Sequence, residues 1–255
     1  MKIFDTHCHF NHDDFYLNTD QYLKEAKENN VSRFLVVGYD KESSLRAVKL
    51  AEQHEEMYAA VGFHPTEIDI AEEDFQIVMN LLNHPKVVAI GEIGLDYHWV
   101  KDLSQREKQK KYFIRQIEIA NRFNKPIVVH NRDAMQDCFD ILKEHRVNKG
   151  GIMHCYSGSV EMAIELIKLD FMIGLGGPVT FLNAKTPKEV AKIIPLQSLV
   201  LETDAPYLAP HPYRGQTNRP MYITLVLEEI SKIRNMTSTE LAKITYENAC
   251  RMFHV

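Results

Sequence analysis

Six side chains of the types that hold metal ions each end, or closely follow, a short apolar run of this sequence. They are His7, His9, Glu92, His130, His154 and Asp204. If those runs are parallel strands of one barrel, the side chains converge on its mouth, where such barrels carry their active sites. Imidazole and carboxylate groups collected at one open site predict a hydrolase that uses two metal ions.

The pair His7 and His9 has the spacing of neighbours on one face of a strand. The strand period of two points both imidazoles to one side, with Cys8 facing the other way. Their ring nitrogens can then hold one metal. The pattern is weak by itself, because 12 histidines in 255 residues produce such pairs by chance. Two histidines that are hydrogen-bonded within a loop are the alternative.

Glu92 follows directly on the apolar run 88–91. A charge in such a place must be paired or bound to metal, because its uncompensated burial is costly. One carboxylate can bridge two cations about 3.5–4 Å apart. A salt bridge to an inward-facing Arg or Lys is the alternative. Asp96 follows the pattern less closely and is a candidate for orienting a ligand.

His130 and His154 end apolar runs in adjacent βα units, so both side chains are expected to reach one metal. Either histidine alone is more often structural. After the last run, Glu202 and Asp204 are predicted to share one face, with Asp204 nearer the mouth. Asp204 is therefore a candidate ligand and general base, and with Glu92 it makes up the predicted catalytic residues. Glu202 either orients another ligand or belongs to a buried ion pair.

Three residues are candidates for contact with the substrate, namely His64, Arg132 and Glu202. His64 ends the third apolar run, and Arg132 lies two residues after His130. Both suit an anionic substrate. Loops at strand ends also hold structural polar residues, so a structural role is equally compatible with the sequence.

Eight nearly continuous apolar runs, rich in β-branched residues, are predicted to be strands buried on both faces. They span residues 2–5, 33–37, 58–62, 87–92, 126–130, 151–154, 171–174 and 198–202. Amphipathic segments with helical spacing span residues 20–30, 42–54, 72–83, 104–123, 134–145, 160–169, 188–193, 220–234 and 238–253. Strict alternation over eight units favours an α/β fold of the TIM-type (β/α)8 barrel class, forming a single domain over residues 1–255.

Local signals mark several element ends. Ser104 with Glu107 three residues later predicts a capping box at the start of a helix. Pro187 suits a first helical turn. The proline-rich segment 205–220 is the longest stretch without predicted structure, and it follows the last strand. We expect it to be a functional loop.

The bulk composition excludes several classes of protein. A net charge of −5 gives no general basic surface for a polyanion, so such a substrate must be gripped locally, for instance by metal ions. The four cysteines lack metal-type or disulfide-type spacing, which indicates reduced thiols. No signal peptide or long apolar stretch is evident, and this predicts a cytoplasmic protein without membrane contact.

These residues resemble the TatD family of metal-dependent deoxyribonucleases, within the amidohydrolase-like barrels, over essentially the whole chain. The landmarks are Phe4-Asp5-Thr6-His7-Cys8-His9, Gly62-Phe63-His64-Pro65, Gly91-Glu92-Ile93-Gly94-Leu95-Asp96-Tyr97, His130-Asn131-Arg132-Asp133-Ala134, His154-Cys155-Tyr156-Ser157-Gly158 and Glu202-Thr203-Asp204-Ala205-Pro206-Tyr207-Leu208. The resemblance implies two divalent cations. One would be held by His7, His9, Glu92 and Asp204, and the other by Glu92, His130 and His154, so that Glu92 is the bridge.

Arg219 departs from the pattern of this family, in which the residue before the equivalent of Pro220 is generally acidic. The reversed charge either breaks a pair that supports the site or adds a contact to phosphate. The fine specificity of the enzyme would change in both cases, whereas the metal ligands would not.

The ligands and the resemblance together predict a two-metal hydrolase of phosphodiester bonds, a DNA nuclease of exonuclease type. A deacylase or other ester and amide hydrolase, for example one acting on aminoacyl-tRNA, is the alternative, since activated water attacks carbonyl and phosphoryl centres alike. A non-enzymatic metal-binding module is disfavoured, because open sites are built for catalysis. Mixed imidazole and carboxylate ligands accept Mg, Mn, Zn, Ni or Co. The expected partner is nucleic acid, with no obligate protein partner.

Overall fold

A computed structural model describes all 255 residues and contains eight β-strands with helices between them. The strands are β1 (Ile3–Cys8), β2 (Val31–Val37), β3 (Met57–Val61), β4 (Val87–Asp96), β5 (Ile127–Arg132), β6 (Gly151–Met153), β7 (Phe171–Leu175) and β8 (Leu199–Leu201). The α-helices are α1 (Asp13–Tyr16), α2 (Thr19–Glu28), α3 (Lys41–Gln53), α4 (Glu72–Asn80), α5 (Leu103–Phe123), α6 (Met135–Glu144), α7 (Val160–Ile167), α8 (Thr186–Ile193), α9 (Ile223–Arg234) and α10 (Ser238–Phe253). Short 3₁₀ turns occupy Leu81–Asn83, Gly177–Thr180, Leu196–Ser198 and Pro220–Tyr222. None of the helices combines the length and the apolar character needed to cross a bilayer.

All eight strands are parallel and follow one another in chain order around the sheet. The first and last strands then meet near the mouth. There the Asp204 N–H donates to His7 O at 2.9 Å, and the His9 N–H donates to Ala205 O at 2.9 Å. The Thr203 hydroxyl adds a 2.6 Å hydrogen bond to the Asp5 carboxylate. The predicted TIM-type (β/α)8 barrel is confirmed.

Alternate side chains of the strands form two separate apolar clusters, as the strand period requires. The smaller cluster takes one residue or more from each strand, for example Phe4, Leu35 and Val128, together with Met252 and Phe253 of α10. The larger cluster joins the other strand faces to the surrounding helices. Because α10 packs on β1 and β8 and its side chains fill the same inner cluster, it covers one end of the barrel. The opposite end, formed by the carboxyl ends of the strands, remains open for a site.

Three strands run at least two residues past their predicted carboxyl ends, and this changes where candidate ligands lie. β1 continues to Cys8, so His7 lies inside it. β4 continues to Asp96 and β5 to Arg132, so Glu92 and His130 lie inside those strands as well. The extension of β4 is possible because its glycines let β5 approach. A Cβ added at Gly91 would lie only 2.7 Å from the Cβ of Val128. The predicted ends at residues 5, 92 and 130 were therefore wrong.

The predicted capping box at Ser104 and Glu107 is also wrong. α5 begins one residue earlier, and the Asp102 carboxylate caps it by accepting the backbone N–H groups of Ser104 at 2.9 Å and Gln105 at 3.1 Å. Glu107 pairs instead with Lys110 at 3.1 Å. The placement of Pro187 in the first turn of α8 is confirmed, and the segment between β8 and Pro220 contains no helix or strand.

Gly94 is the residue of β4 at which a side chain is least tolerable. Its φ of 141° lies in a region that favours glycine, and an added Cβ would lie 2.0 Å from the carbonyl oxygen of His130. Gly94→Ala is expected to lower the free energy of unfolding by about 3 kcal/mol, from backbone strain of roughly 1–3 kcal/mol and overpacking of similar size. The thermal midpoint should fall by about 6–12 °C, measured by circular dichroism.

Gly215 provides the matched control for this substitution. It also has a positive φ, 89°, but no atom lies within 4 Å of an added Cβ. Gly215→Ala should therefore cost only the backbone strain. Equal losses of stability in the two variants would show that the close approach of β4 and β5 contributes nothing.

Candidate metal centre

The open end of the barrel contains a cavity of about 680 Å³. Five of the six predicted ligands line it, namely His9, Glu92, His130, His154 and Asp204. His7 lies beside them and is fully buried. The convergence that the sequence pattern predicts is therefore seen in the structure.

The first group of ligands lies where β1 meets β8. His7 Nε2 and His9 Nε2 are 3.2 Å apart. His9 Nε2 is 3.3 Å from Asp204 Oδ1, and His7 Nε2 is 3.4 Å from Glu92 Oε2. Two imidazole nitrogens at this distance can share only one proton, whereas both can bind one cation. The donor set fits a divalent metal.

The second group of ligands surrounds the other oxygen of the Glu92 carboxylate. His130 Nδ1 lies 2.8 Å from Glu92 Oε1, and His154 Nε2 lies 3.8 Å from the same oxygen. The three side chains place one possible ligand atom each within 4.8 Å of one another. Glu92 therefore presents one oxygen to each group of imidazoles.

Both central carboxylates carry their charge in this environment. Burial by itself would raise the pKa of Glu92, but the imidazoles of His7, His130 and His154 hold it well below the usual value. The pKa of Asp204 is likewise lowered against the effect of burial, by His154, His9 and His7. Burial lowers the pKa of His7, which favours the neutral imidazole that binds metal. The carboxylates in turn raise the pKa values of His9 and His154, the latter to about 10, so protonated imidazoles supply the positive charge that bound cations would otherwise provide.

The imidazole rings of His7 and His154 pack closely against each other. The His7 and His154 rings are stacked with centroids 3.6 Å apart. The Nδ1 atoms of both rings and Oε2 of Glu202 are buried without a hydrogen-bond partner. The two stacked rings direct their Nε2 atoms at the carboxylates of Glu92 and Asp204.

Glu202 is completely buried and does not line the cavity. The structure therefore gives no support to its predicted contact with substrate, and its position beside His154 fits both of the other interpretations, a residue that orients a ligand and a member of a buried ion pair. Glu202 Oε1 lies 3.0 Å from His154 Nδ1, an ion-pair distance without the alignment of a hydrogen bond, and accepts the Cys155 N–H at 2.6 Å. A Cβ at Gly174 would lie 2.3 Å from Glu202 Oε2, so glycine makes room for this carboxylate.

Asp96 lies at the end of β4 and contacts the outer edge of His130. His130 Nε2 is 3.0 Å from Asp96 Oδ2, while its Nδ1 faces Glu92. Burial lowers the pKa of His130, but its hydrogen bonds to Asp96 and Glu92 raise it above the usual value overall. Asp96 is held in place through its backbone by Gln109 of α5, whose side chain accepts the Asp96 N–H at 3.0 Å. The ligand-orienting role considered for Asp96 is compatible with these contacts.

His64 and Arg132 both line the cavity, as contact with substrate requires. His64 Nε2 is 3.8 Å from Glu92 Oε1, and burial lowers the pKa of His64 to about 4, so its imidazole is neutral. Arg132 is exposed at the end of β5, with its guanidinium 5.6 Å from the centre of the Trp99 ring. Arg132 is therefore the cationic side chain of the cavity wall.

Three polar or aromatic lining residues lie outside the family landmarks and carry no other signal that singles them out in the sequence. They are Tyr39, Thr66 and Trp99. Each lies at or just after the end of a strand, so position in a βα unit is the one property that marks them. Position alone also marks many residues that do not reach the cavity.

Arg219 does not line the cavity. Its guanidinium donates to Glu25 Oε2 of α2 at 3.1 Å and lies 5.6 Å from the centre of the Tyr22 ring. Of the two consequences considered for this residue, a phosphate contact is not what the structure shows. The neighbouring Asn218 holds the loop instead, donating to the carbonyl oxygens of Thr203 and Tyr207 at 2.7 Å each.

Comparison with known proteins agrees with the barrel and with a metal-dependent hydrolase. The model of the TatD-related DNase family matches residues 4–254. YabD of Bacillus subtilis is 48% identical over 255 residues, which cover 99% of each chain, and YcfH of Escherichia coli K12 is 34% identical over 259 residues, which cover 100% of this chain and 97% of YcfH. Both relatives are described as uncharacterized metal-dependent hydrolases.

Solved structures extend the likeness to three dimensions. The crystal structure of YjjV, a TatD homologue of E. coli K12, matches with a TM-score of 0.94 and 32% identity over 99% of this chain and 98% of YjjV. An organophosphorus hydrolase of Deinococcus radiodurans, at a TM-score of 0.66 and 11% identity, shows the shared fold alone. The resemblance expected from the sequence landmarks is confirmed. The chain belongs to the TatD-related DNase family of metal-dependent hydrolases.

Proposed function

We propose that the protein is a two-metal nuclease that hydrolyses phosphodiester bonds of DNA and acts as an exonuclease. One observation carries the proposal, the division of the two Glu92 oxygens between separate groups of imidazoles. Oε2 faces His7 and His9 at 3.4 and 3.8 Å, whereas Oε1 faces His130 and His154 at 2.8 and 3.8 Å. Such a carboxylate is suited to bridge two cations below an open cavity.

Each ligand has a distinct part in this proposal. Divalent cations bound by the two groups would polarise phosphoryl oxygens and lower the pKa of water. His7 and His9 anchor one side of the site from β1, and His130 and His154 anchor the other. The Asp204 side chain is 13% exposed at the cavity, and its ionised carboxylate is placed to accept a proton from the attacking water.

The substrate is gripped locally in this proposal, because the net charge of −5 gives no long-range attraction for DNA. Arg132 offers one cationic group at the mouth. The cations themselves supply further positive charge that a count of side chains omits. A phosphodiester is anionic, so it is the substrate that best matches both Arg132 and the bound cations.

Removal of the metal ions is expected to stop hydrolysis reversibly. Chelator-stripped protein should leave end-labelled single-stranded DNA intact, and re-supply of Mg or Mn should restore shortening, read on denaturing gels. A ladder that grows from one end indicates exonuclease action. Parallel additions of Zn, Ni and Co identify the most effective metal.

A different outcome would replace the proposed substrate. If the protein binds metal stoichiometrically but cleaves no DNA, and it hydrolyses aminoacyl-tRNA or a simple ester under the same conditions, the deacylase alternative is correct. The cytoplasmic location, the nucleic-acid partner and the independence of a protein partner stay predictions from the sequence.

A further inference from the structure

Trp99 is the only tryptophan of the chain, and 67% of its surface is exposed. Tryptophan is usually well buried, because its large ring contributes much apolar area to a core. Here the ring stands on the wall of the cavity, three residues after the end of β4. An exposed aromatic ring beside a candidate active site points to a ligand with a flat face.

The surroundings of Trp99 hold it in a defined place. Its backbone N–H donates to Asp96 Oδ1 at 2.8 Å, which ties it to the carboxylate that contacts His130. The edge of the His98 ring packs at right angles to it, with centroids 4.9 Å apart and an interplanar angle of 88°. The Arg132 guanidinium lies 5.6 Å from its ring centre. These contacts fix the position of the ring beside a cationic group.

A second exposed aromatic ring stands on the other side of the mouth. Tyr207, 48% exposed, follows β8 and lines the same cavity. In a ring of eight strands in chain order, β4 and β8 are diametrically opposed. The Asn218 side chain holds the backbone of Tyr207, and the edge of the Tyr207 ring meets His9 with centroids 5.9 Å apart. The candidate metal ligands therefore lie between two exposed aromatic rings.

We propose that Trp99 and Tyr207 are stacking subsites for the bases on either side of the scissile phosphodiester. The inference rests on the proposed nuclease function and adds a requirement to it, that the substrate carries bases which can leave their neighbours and stack on protein. Aromatic rings accept every base, because each has a π-face. The subsites select for the presence of a base without reading its identity.

The single tryptophan permits a direct test by fluorescence. Mg-loaded protein is mixed in a stopped-flow instrument with oligothymidylate, or with an abasic oligomer of the same length and charge, and the signal is read before turnover. Stacking predicts quenching by oligothymidylate at a concentration about tenfold lower than by the abasic oligomer. Equal quenching by both would show electrostatic binding and overturn the proposal.

Substitutions at Trp99 test the same inference by kinetics. Trp99→Ala keeps the backbone N–H that Asp96 accepts and should raise KM for oligothymidylate about tenfold, with a smaller change in kcat. Trp99→Phe should restore most of the affinity. Leu103→Ala is the matched control, an exposed apolar residue four positions further on that does not line the cavity. An unchanged KM in Trp99→Ala overturns the proposal.

The two proposals fail in different ways. Cleavage of both oligomers with equal quenching would support the nuclease and overturn the stacking subsites. Base-dependent quenching without any cleavage would show that Trp99 stacks on bases but would overturn the nuclease and, with it, the placement of the subsites beside a scissile bond. If neither oligomer is bound or cleaved, both proposals are wrong.

Discussion

Glu92→Gln is expected to reduce metal-dependent hydrolysis by about a thousandfold or more. Loss of one preorganised group commonly costs a hundredfold to a thousandfold in turnover, and Glu92 would serve both cations. Glutamine keeps the shape of the side chain but offers one oxygen only, which can serve one group of imidazoles. Metal content by atomic spectroscopy should fall together with kcat/KM.

The control for this substitution is Glu118→Gln, an equivalent change at an exposed position of α5. It should leave metal content and kcat/KM unchanged. The thermal midpoint of both variants, measured without metal, separates loss of ligand from loss of fold. Full activity and two bound cations in Glu92→Gln would falsify the bridging role.

The convergence of the candidate ligands was predictable because each lies where an apolar run meets a polar side chain. His7, His130 and His154 needed only the assumption of parallel strands, since the carboxyl ends of such strands meet at one edge. Glu92 was identified by the cost of placing a charge in an apolar segment. These arguments use only positions along the chain, and the folding of the chain into a barrel brings those positions close together.

The relation between Glu202 and Asp204 shows where strand periodicity stops being informative. The expected shared face requires the strand to continue to Asp204, but β8 ends at Leu201. Asp204 then adopts a left-handed backbone with φ of 58°. The two carboxylates consequently approach opposite edges of His154, with Glu202 at Nδ1 and Asp204 at Nε2. Backbone conformation after a strand end is not encoded in alternation.

Contacts made by residues distant in sequence were equally beyond the pattern. The hydrogen bond from the Asp96 N–H to Gln109 and the support of Tyr207 by Asn218 depend on how loops and helices pack. Such polar side chains have no periodicity to mark them. The fold class and the ligands follow from local chemistry, while the residues that hold the ligands in place follow from tertiary structure.

Asp204→Asn is expected to lower kcat by about 10²–10⁴-fold, the usual contribution of a general base. Asparagine tolerates the left-handed backbone, φ of 58°, and retains one oxygen for metal, so fold and metal content at saturation should be preserved. The ionised Asp204 carboxylate has a lowered pKa and would titrate on the acid limb of the profile of kcat against pH. That limb should disappear in Asp204→Asn, which a purely structural role would not cause.

Asp170→Asn separates this chemistry from the effect of the backbone. Asp170 also has a left-handed φ, 68°, but it is exposed just before β7, at the end of the barrel away from the cavity. Its replacement should leave kcat and the pH profile unaltered. If Asp204→Asn loses metal along with activity, Asp204 acts as a ligand alone, and if it keeps full kcat, another group accepts the proton. Retained metal with a lost acid limb is the result that only a general base at Asp204 produces.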